Sequence, residues 1–151
     1  MHKLTSTDIN SEIITKAINM AQNGIVITDI DGKIVWVNDY ICQLTGYTHA
    51  EMIGENPRLL KSEKEPVETY KVMWKKISSG QKWQGRIVNK KKDDSFYIER
   101  LSITPIFDKE NIIGYIGIQQ DITIEEGLRD QLTEFLEKTR EELKLRKEKI
   151  I

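Results

Sequence analysis

Gly54-Glu55-Asn56-Pro57-Arg58-Leu59-Leu60-Lys61 stands near the middle of the chain, and the remaining elements arrange themselves on either side of it. Gly54 permits backbone angles closed to other residues, and Pro57 forces Asn56 towards an extended conformation. An amide and a guanidinium bracket the proline. Polar groups on a loop between apolar helix and strand patterns suit the wall of a pocket. The same residue types also serve ordinary turns, with Asn56 and Arg58 bonding only to backbone.

Upstream, Thr48-His49-Ala50-Glu51 predicts a short helix with Thr48 as cap and Glu51 in the capping-box position. Before it, residues 38–47 place Tyr40, Ile41 and Leu44 on one helical side, with Gly46 as the stop. Two β-branched runs, 24–29 and 34–38, flank Asp31-Gly32, a pair suited to a tight hairpin turn. Further back, Ile9, Ile13, Ile14, Ala17, Ile18 and Ala21 recur at helical spacing from Asp8, with Thr7 or Asp8 as cap and Asn23-Gly24 as the end.

Downstream, residues 65–79 predict a helix with Val67, Tyr70, Met73, Trp74 and Ile77 inward, closed by Gly80. Three strand patterns follow at 83–89, 96–107 and 112–123, separated by polar loops. The lysine run 90–92 is most simply a solvated turn. Two strands, several helices and three more strands imply an α+β fold, a five-stranded antiparallel sheet with helices over one face. The space between helices and sheet is the natural ligand position. Strict alternation puts Gly117, Gln119 and Asp121 on one face, opposite Ile116, Ile118 and Gln120. If Gly117 and Gln119 face the helices, the glycine makes room for a flat ligand and the glutamine meets it.

From Ile124 onwards Glu, Lys, Arg, Leu and Gln dominate. Leu132, Leu136, Thr139, Leu143 and Ile150 follow alternating four- and three-residue steps, with Leu128 and Phe135 in an offset register. A coiled-coil helix is expected, since a solitary helix of this length exposes its leucine stripe. The expected division is an N-terminal amphipathic helix over residues 1–22, a core over 23–123 and a C-terminal helix over 124–151.

With 151 residues, 38% hydrophobic and 31% charged, the chain is long enough for one core plus an appendage. A net charge of −1 gives no electrostatic reason to expect nucleic acid or an anionic membrane. No apolar run spans a bilayer and no signal peptide opens the chain, so a cytoplasmic protein is expected. The single cysteine, Cys42, sits among apolar helical residues and is expected to be a buried structural thiol. His2 and His49 lie in exposed-looking contexts away from the expected pocket, so axial haem ligation is not expected. The sequence holds no nucleophile–base pair, paired metal ligands or phosphate-cradling glycine loop, and an enzyme is not expected. Any catalytic output is expected to lie outside this chain.

The chain resembles a PAS sensor domain. The resemblance is carried by Gly24-Ile25-Val26-Ile27-Thr28-Asp29, Leu44-Thr45-Gly46-Tyr47, Glu51-Met52-Ile53-Gly54, Asn56-Pro57-Arg58, Trp83-Gln84-Gly85, Thr104-Pro105-Ile106 and Gly117-Ile118-Gln119-Gln120-Asp121-Ile122-Thr123. It covers roughly residues 12 to 123. It implies a sensory domain that forms a homodimer through its terminal helices and signals to a downstream output domain or partner protein. Within the family the chain resembles the flavin-binding branches, implying a non-covalent flavin, FAD or FMN. Asn56 and Arg58 match positions that in LOV domains contact the ribityl-phosphate, and Asn89 and Gln119 match positions that hydrogen-bond the ring edge. An amide offers both donor and acceptor, and arginine holds phosphate by paired charge-assisted bonds.

There are departures. Pro57 occupies the position of the LOV adduct cysteine, Lys61 that of a usual glutamine, and Glu99 that of a common second ring-contacting asparagine. Cysteinyl photochemistry is thereby excluded at that position. The chain also resembles FAD-binding redox-sensing PAS domains around Trp74, Trp83-Gln84-Gly85 and Asn89. These need no adduct cysteine, and Trp83 is expected to close the pocket or to pack in the sheet. Gln119, Asp121 and Thr123 are then the expected relay from the ring to the last helix. The alternatives are a PAS domain for another metabolite and a ligand-free dimerisation module.

Overall fold

The computed structural model describes residues 10–149, and the expected caps Thr7 and Asp8, together with Ile150, lie outside them. The chain divides into two units, one ending at Asp121 and one beginning at Ile122.

In the first unit, helix α1 (Ser11–Asn19) is capped by Asn10, whose Oδ1 accepts from the Ile13 N–H. Strands β1 (Gly24–Asp29) and β2 (Ile34–Val37) form the expected hairpin. Asp29 Oδ1 accepts from the amides of Asp31 and Lys33, and Gly32 takes a φ of 82°, a left-handed angle that suits glycine. Asn38, expected at a strand end, is fully buried and joins three elements. Its Oδ1 accepts from the Ile25 and Ile41 amides, and its Nδ2 donates to the carbonyls of Ile18 and Asn23. It thereby caps α2 (Asp39–Thr45) and fixes that helix against α1 and β1.

Helix α3 (His49–Met52) opens with the Thr48–Glu51 capping box. The central loop then closes into a 3-10 helix (Pro57–Leu60), with the Asn56 side chain accepting from the Arg58 amide at 2.9 Å. Helix α4 (Val67–Ser78) buries Met73 and Ile77, but Val67, expected inward, is 57% exposed. It occupies the first turn directly after the Pro66 cap, ahead of the face that meets the sheet.

Strands β3 (Trp83–Lys90), β4 (Phe96–Asp108) and β5 (Asn111–Asp121) complete an antiparallel sheet of order β2-β1-β5-β4-β3. This is the expected α+β fold. The apolar interior forms two clusters. Val26, Ile34, Val37, Ile41, Met52 and Leu60 make one, and Met73, Ile77, Trp83, Ile87 and Tyr115 the other. Burying apolar side chains of this size stabilises by roughly 1.5–3 kcal/mol each.

The second unit carries helix α5 (Thr123–Glu148). Leu128, Leu132, Phe135, Leu136 and Leu143 are exposed along it, and Arg129–Glu126 and Lys138–Glu134 form ion pairs on its surface. Among the described residues no helix is long and apolar enough to cross a membrane.

Candidate functional site

A cavity of about 120 Å³, open to solvent, lies between the inner sheet face, the 3-10 helix and α4. Its walls are apolar: Val26, Leu60, Met73, Ile87, Leu101 and Ile103 line it. Trp74 and Tyr115 meet edge to face at its side, with ring centroids 5.8 Å apart at 89°.

The inner end is polar. Asn89 on β3, Glu99 on β4 and Gln119 on β5 all line the cavity and all are buried, Glu99 completely. Strand periodicity brings them together, since β3, β4 and β5 are neighbours and each residue takes an inward position. Asn89 Nδ2 donates to the Tyr97 hydroxyl at 3.4 Å. Both Glu99 carboxyl oxygens, Gln119 Oε1 and the Tyr70 hydroxyl oxygen are buried with no hydrogen-bond partner among the described residues. Buried polar atoms are normally paired, and leaving one unpaired costs about 1–3 kcal/mol. Four such atoms around one cavity are the pattern of a site completed by what it binds.

Burial pushes the Glu99 carboxyl up to about 8, although the nearby Tyr97 and Asn89 polar groups pull the other way. No hydrogen-bonding geometry to either is reached, so desolvation decides and the carboxyl is neutral near pH 7. Tyr70 is pushed up to about 12 by burial, with the Glu65 and Glu99 charges adding to it. Tyr97 is raised by burial and by Glu99.

Asn56, Pro57, Arg58 and Lys61 line the cavity from the central loop. Asn56 has two roles here, because its Oδ1 caps the 3-10 helix while its Nδ2 stands beside Gly32. Arg58 and Lys61 are exposed, and Lys61 Nζ lies 4.9 Å from the Tyr70 ring. The loop is tied to the sheet by the Ser62 hydroxyl, which donates to the Val88 carbonyl. Glu65 Oε2 adds to this by accepting from the Val88 amide at 2.9 Å, and a Lys61–Asn89 bridge completes the junction. Gly117 faces the cavity. A Cβ there meets only Leu101 Cδ1 at 3.7 Å and the Val26 carbonyl at 3.8 Å, so the glycine leaves open space rather than relieving a clash.

Trp83 does not line the cavity, contrary to one expectation for it. Its indole covers Gly85 two residues along the same face, where a Cβ would come within 2.5 Å of the ring. It packs with Met73, Ile77, Ile87 and Tyr115. Asp121 pairs with Glu99 in the β4–β5 register at the end of β5, and Thr123 opens α5. Cys42 is half-buried against the first core cluster, its thiol pushed up by burial and by Asp39. Among the described residues no cluster of metal-ligating side chains occurs.

Sequence reasoning placed Tyr70 inward on its helix without a role in the site, and missed Tyr97 and Tyr115. Alternation along β4 puts Tyr97 on the same face as Glu99, the one signal that could have found it, and only the β3–β4 register shows that Asn89 is its partner.

The PAS domain model matches residues 22–123, and the chain belongs to the PAS domain family. It is 33% identical over 121 residues to the nitrogen fixation regulatory protein of Klebsiella oxytoca, covering 77% of this chain and 24% of that protein. It is 30% identical over 128 residues to a blue-light photoreceptor of Listeria innocua, covering 83% and 51% respectively. The chain thus spans between a quarter and about half of these relatives. Among solved structures, an RNA-binding light-oxygen-voltage receptor aligns with a TM-score of 0.75 at 27% identity, over 91% of this chain and 41% of that one. The chain is a PAS sensor domain with LOV-type neighbours.

Proposed function

We propose that the cavity binds a flavin non-covalently and that the domain signals the state of that flavin. One observation carries this reading: unpartnered buried oxygens of Glu99 and Gln119 line a cavity whose sheet and helix walls are largely apolar. A flat ring with a donor–acceptor edge satisfies both demands, stacking on aliphatic walls and presenting polar atoms to Asn89, Glu99 and Gln119. Arg58 and Lys61 suit an anionic phosphate tail, and Asn56 Nδ2 a hydroxylated chain. The likeness to a blue-light photoreceptor and to a light-oxygen-voltage receptor supports the same ligand class.

Flavin supplies redox and light-absorbing chemistry when bound. The chain's only cysteine lies outside the cavity lining, and Pro57 occupies the central loop position, so no thiol is placed for an adduct. The signal is therefore assigned to the redox or photochemical state of the flavin itself, without a thiol adduct. Gln119 presents an amide that can offer either its oxygen or its N–H₂ group, and the chain runs from it through Asp121 to Thr123 at the start of α5. This is the proposed relay. The exposed leucines of α5 suit a coiled-coil homodimer that passes the change to an output domain or partner. The domain itself is assigned no catalytic role, and a cytoplasmic setting fits this arrangement.

Titration of the ligand-free protein with riboflavin, FMN and FAD tests the reading. Saturable quenching of flavin fluorescence, tighter for FMN or FAD than for riboflavin, is expected. Absence of saturation for all three leaves a sensor of another metabolite or a dimerisation module.

A further inference from the structure

We propose that Glu99 keeps its proton inside the cavity and donates it as a hydrogen bond to an acceptor atom on the ligand's ring edge, so that ionising Glu99 releases the ligand. The inference rests on the flavin reading and adds a control that an amide at this position cannot provide.

The geometry comes first. Glu99 is completely buried, lines the cavity, and neither oxygen meets a protein donor. The groups facing it are few. Tyr97 lies on its own strand, Asp121 is its register partner on β5, and Tyr70 comes from α4. Asn89 and Gln119 are the neutral amides beside it at the cavity end. The cations of the same cavity, Lys61 and Arg58, form no ion pair with it. Lys61 instead lies over the Tyr70 ring. A carboxylate here faces tyrosines and the Asp121 carboxylate, and among the described residues no cation pairs with it to offset its burial. A carboxylic acid faces the same groups at far lower cost, but its O–H reaches no acceptor at hydrogen-bonding distance among the described residues.

That leftover donor selects its ligand. A neutral acid in this position pairs with a carbonyl oxygen or unprotonated ring nitrogen, both of which the edge of an oxidised isoalloxazine offers. An asparagine would supply a donor at every pH. Glutamate supplies it only while protonated, so its presence makes retention of the ligand depend on pH. When the carboxyl ionises, the donor becomes an acceptor carrying a charge, and it meets the lone pairs of the ring edge. Only the Glu99 O–H bond breaks: its electron pair stays on the carboxylate and the proton leaves to solvent.

The test titrates FMN into the full protein, wild type and E99Q, between about pH 6 and about pH 10. Glutamine keeps an N–H donor of nearly the same shape and cannot ionise. Wild-type affinity is expected to be level at the acid end and to weaken about tenfold per pH unit once Glu99 ionises. E99Q should stay level across the same range, and ionisation of FMN itself is common to both proteins. Parallel profiles overturn the proposal. So does wild-type affinity that tightens with pH, which would mean an ionised Glu99 accepting from a ligand N–H. Infrared spectra of the ligand-free proteins give an independent readout: a protonated-carboxyl C=O band at neutral pH in the wild type, absent from E99Q. If that band is missing, the retained proton is disproved whatever binds. If neither protein binds FMN at any pH, the flavin reading fails, while the band still decides whether Glu99 holds its proton.

Discussion

The Asn89 side-chain amide donates to the Tyr97 hydroxyl across register-paired positions of β3 and β4. The bond fixes which way the amide turns at the inner end of the cavity. It also links two of the three strands that carry the polar end, so the site's shape depends on a residue that does not line it.

Tyr97→Phe removes the acceptor and leaves Asn89 Nδ2 buried without it. Stability should fall by about 1 kcal/mol, within the range for losing one buried hydrogen bond. Ligand affinity should fall several-fold, because the Asn89 amide is then free to rotate. Urea denaturation and FMN titration of the same preparation measure both, and a loss of stability with unchanged affinity would remove Tyr97 from the site.

Gly117→Ala separates space needed by the fold from space left for a ligand. Its Cβ makes only ordinary contacts with Leu101 and Val26, so the melting temperature should hold or rise. The methyl group nevertheless intrudes on the cavity beside Gln119, and FMN affinity should drop about tenfold, the equivalent of roughly 1.4 kcal/mol. Undiminished binding would place the ligand away from β5.

Arg58→Ala distinguishes a phosphate contact from loop structure. The guanidinium is exposed and its backbone amide carries the cap bond to Asn56, so little stability should be lost. FMN should bind at least fivefold more weakly and riboflavin equally well, roughly the 1 kcal/mol or more of a charge-assisted contact. Asn56→Ala, in contrast, should cost about 1 kcal/mol of stability through loss of the 3-10 cap alone.

Glu99 also sets a pH dependence of folding. Its pKa rises from 4.5 to about 8 on folding, so between those values the native state binds more protons than the unfolded chain. The stability this brings is present below about pH 4.5 and is lost as pH rises towards 8, by at most about 1.4 kcal/mol per unit. The difference between wild type and E99Q in denaturant midpoint should therefore shift steadily in favour of E99Q across that window. A constant difference would show that Glu99 is ionised in the native state throughout.

Much of the site was legible because strand alternation is strict. Gly117 and Gln119 had to share a face, and the Asp31-Gly32 turn and the Thr48–Glu51 capping box set the elements around the central loop. What local pattern cannot give is the partner across the sheet. Asn89 and Tyr97 are eight residues apart in sequence, and their bond follows from the β3–β4 register. Trp83 shows the same limit from the other side: an aromatic near the pocket was readable, but its stacking over Gly85 depends on a side-chain rotamer. Asn38 lay at a strand–helix junction, and its four hydrogen bonds reach residues up to 20 positions away.

The most direct test of the central claim is the visible absorption spectrum of the purified protein, loaded with FMN or FAD where none is retained, before and after dithionite. The expected result is the structured band of an oxidised, protein-bound flavin, bleached on reduction and restored by air, with no cysteinyl-adduct species on illumination. A spectrum that is featureless as purified, and again after added flavin has been removed by desalting, would contradict it, and the unpartnered oxygens of Glu99 and Gln119 would then have to answer to a different ligand.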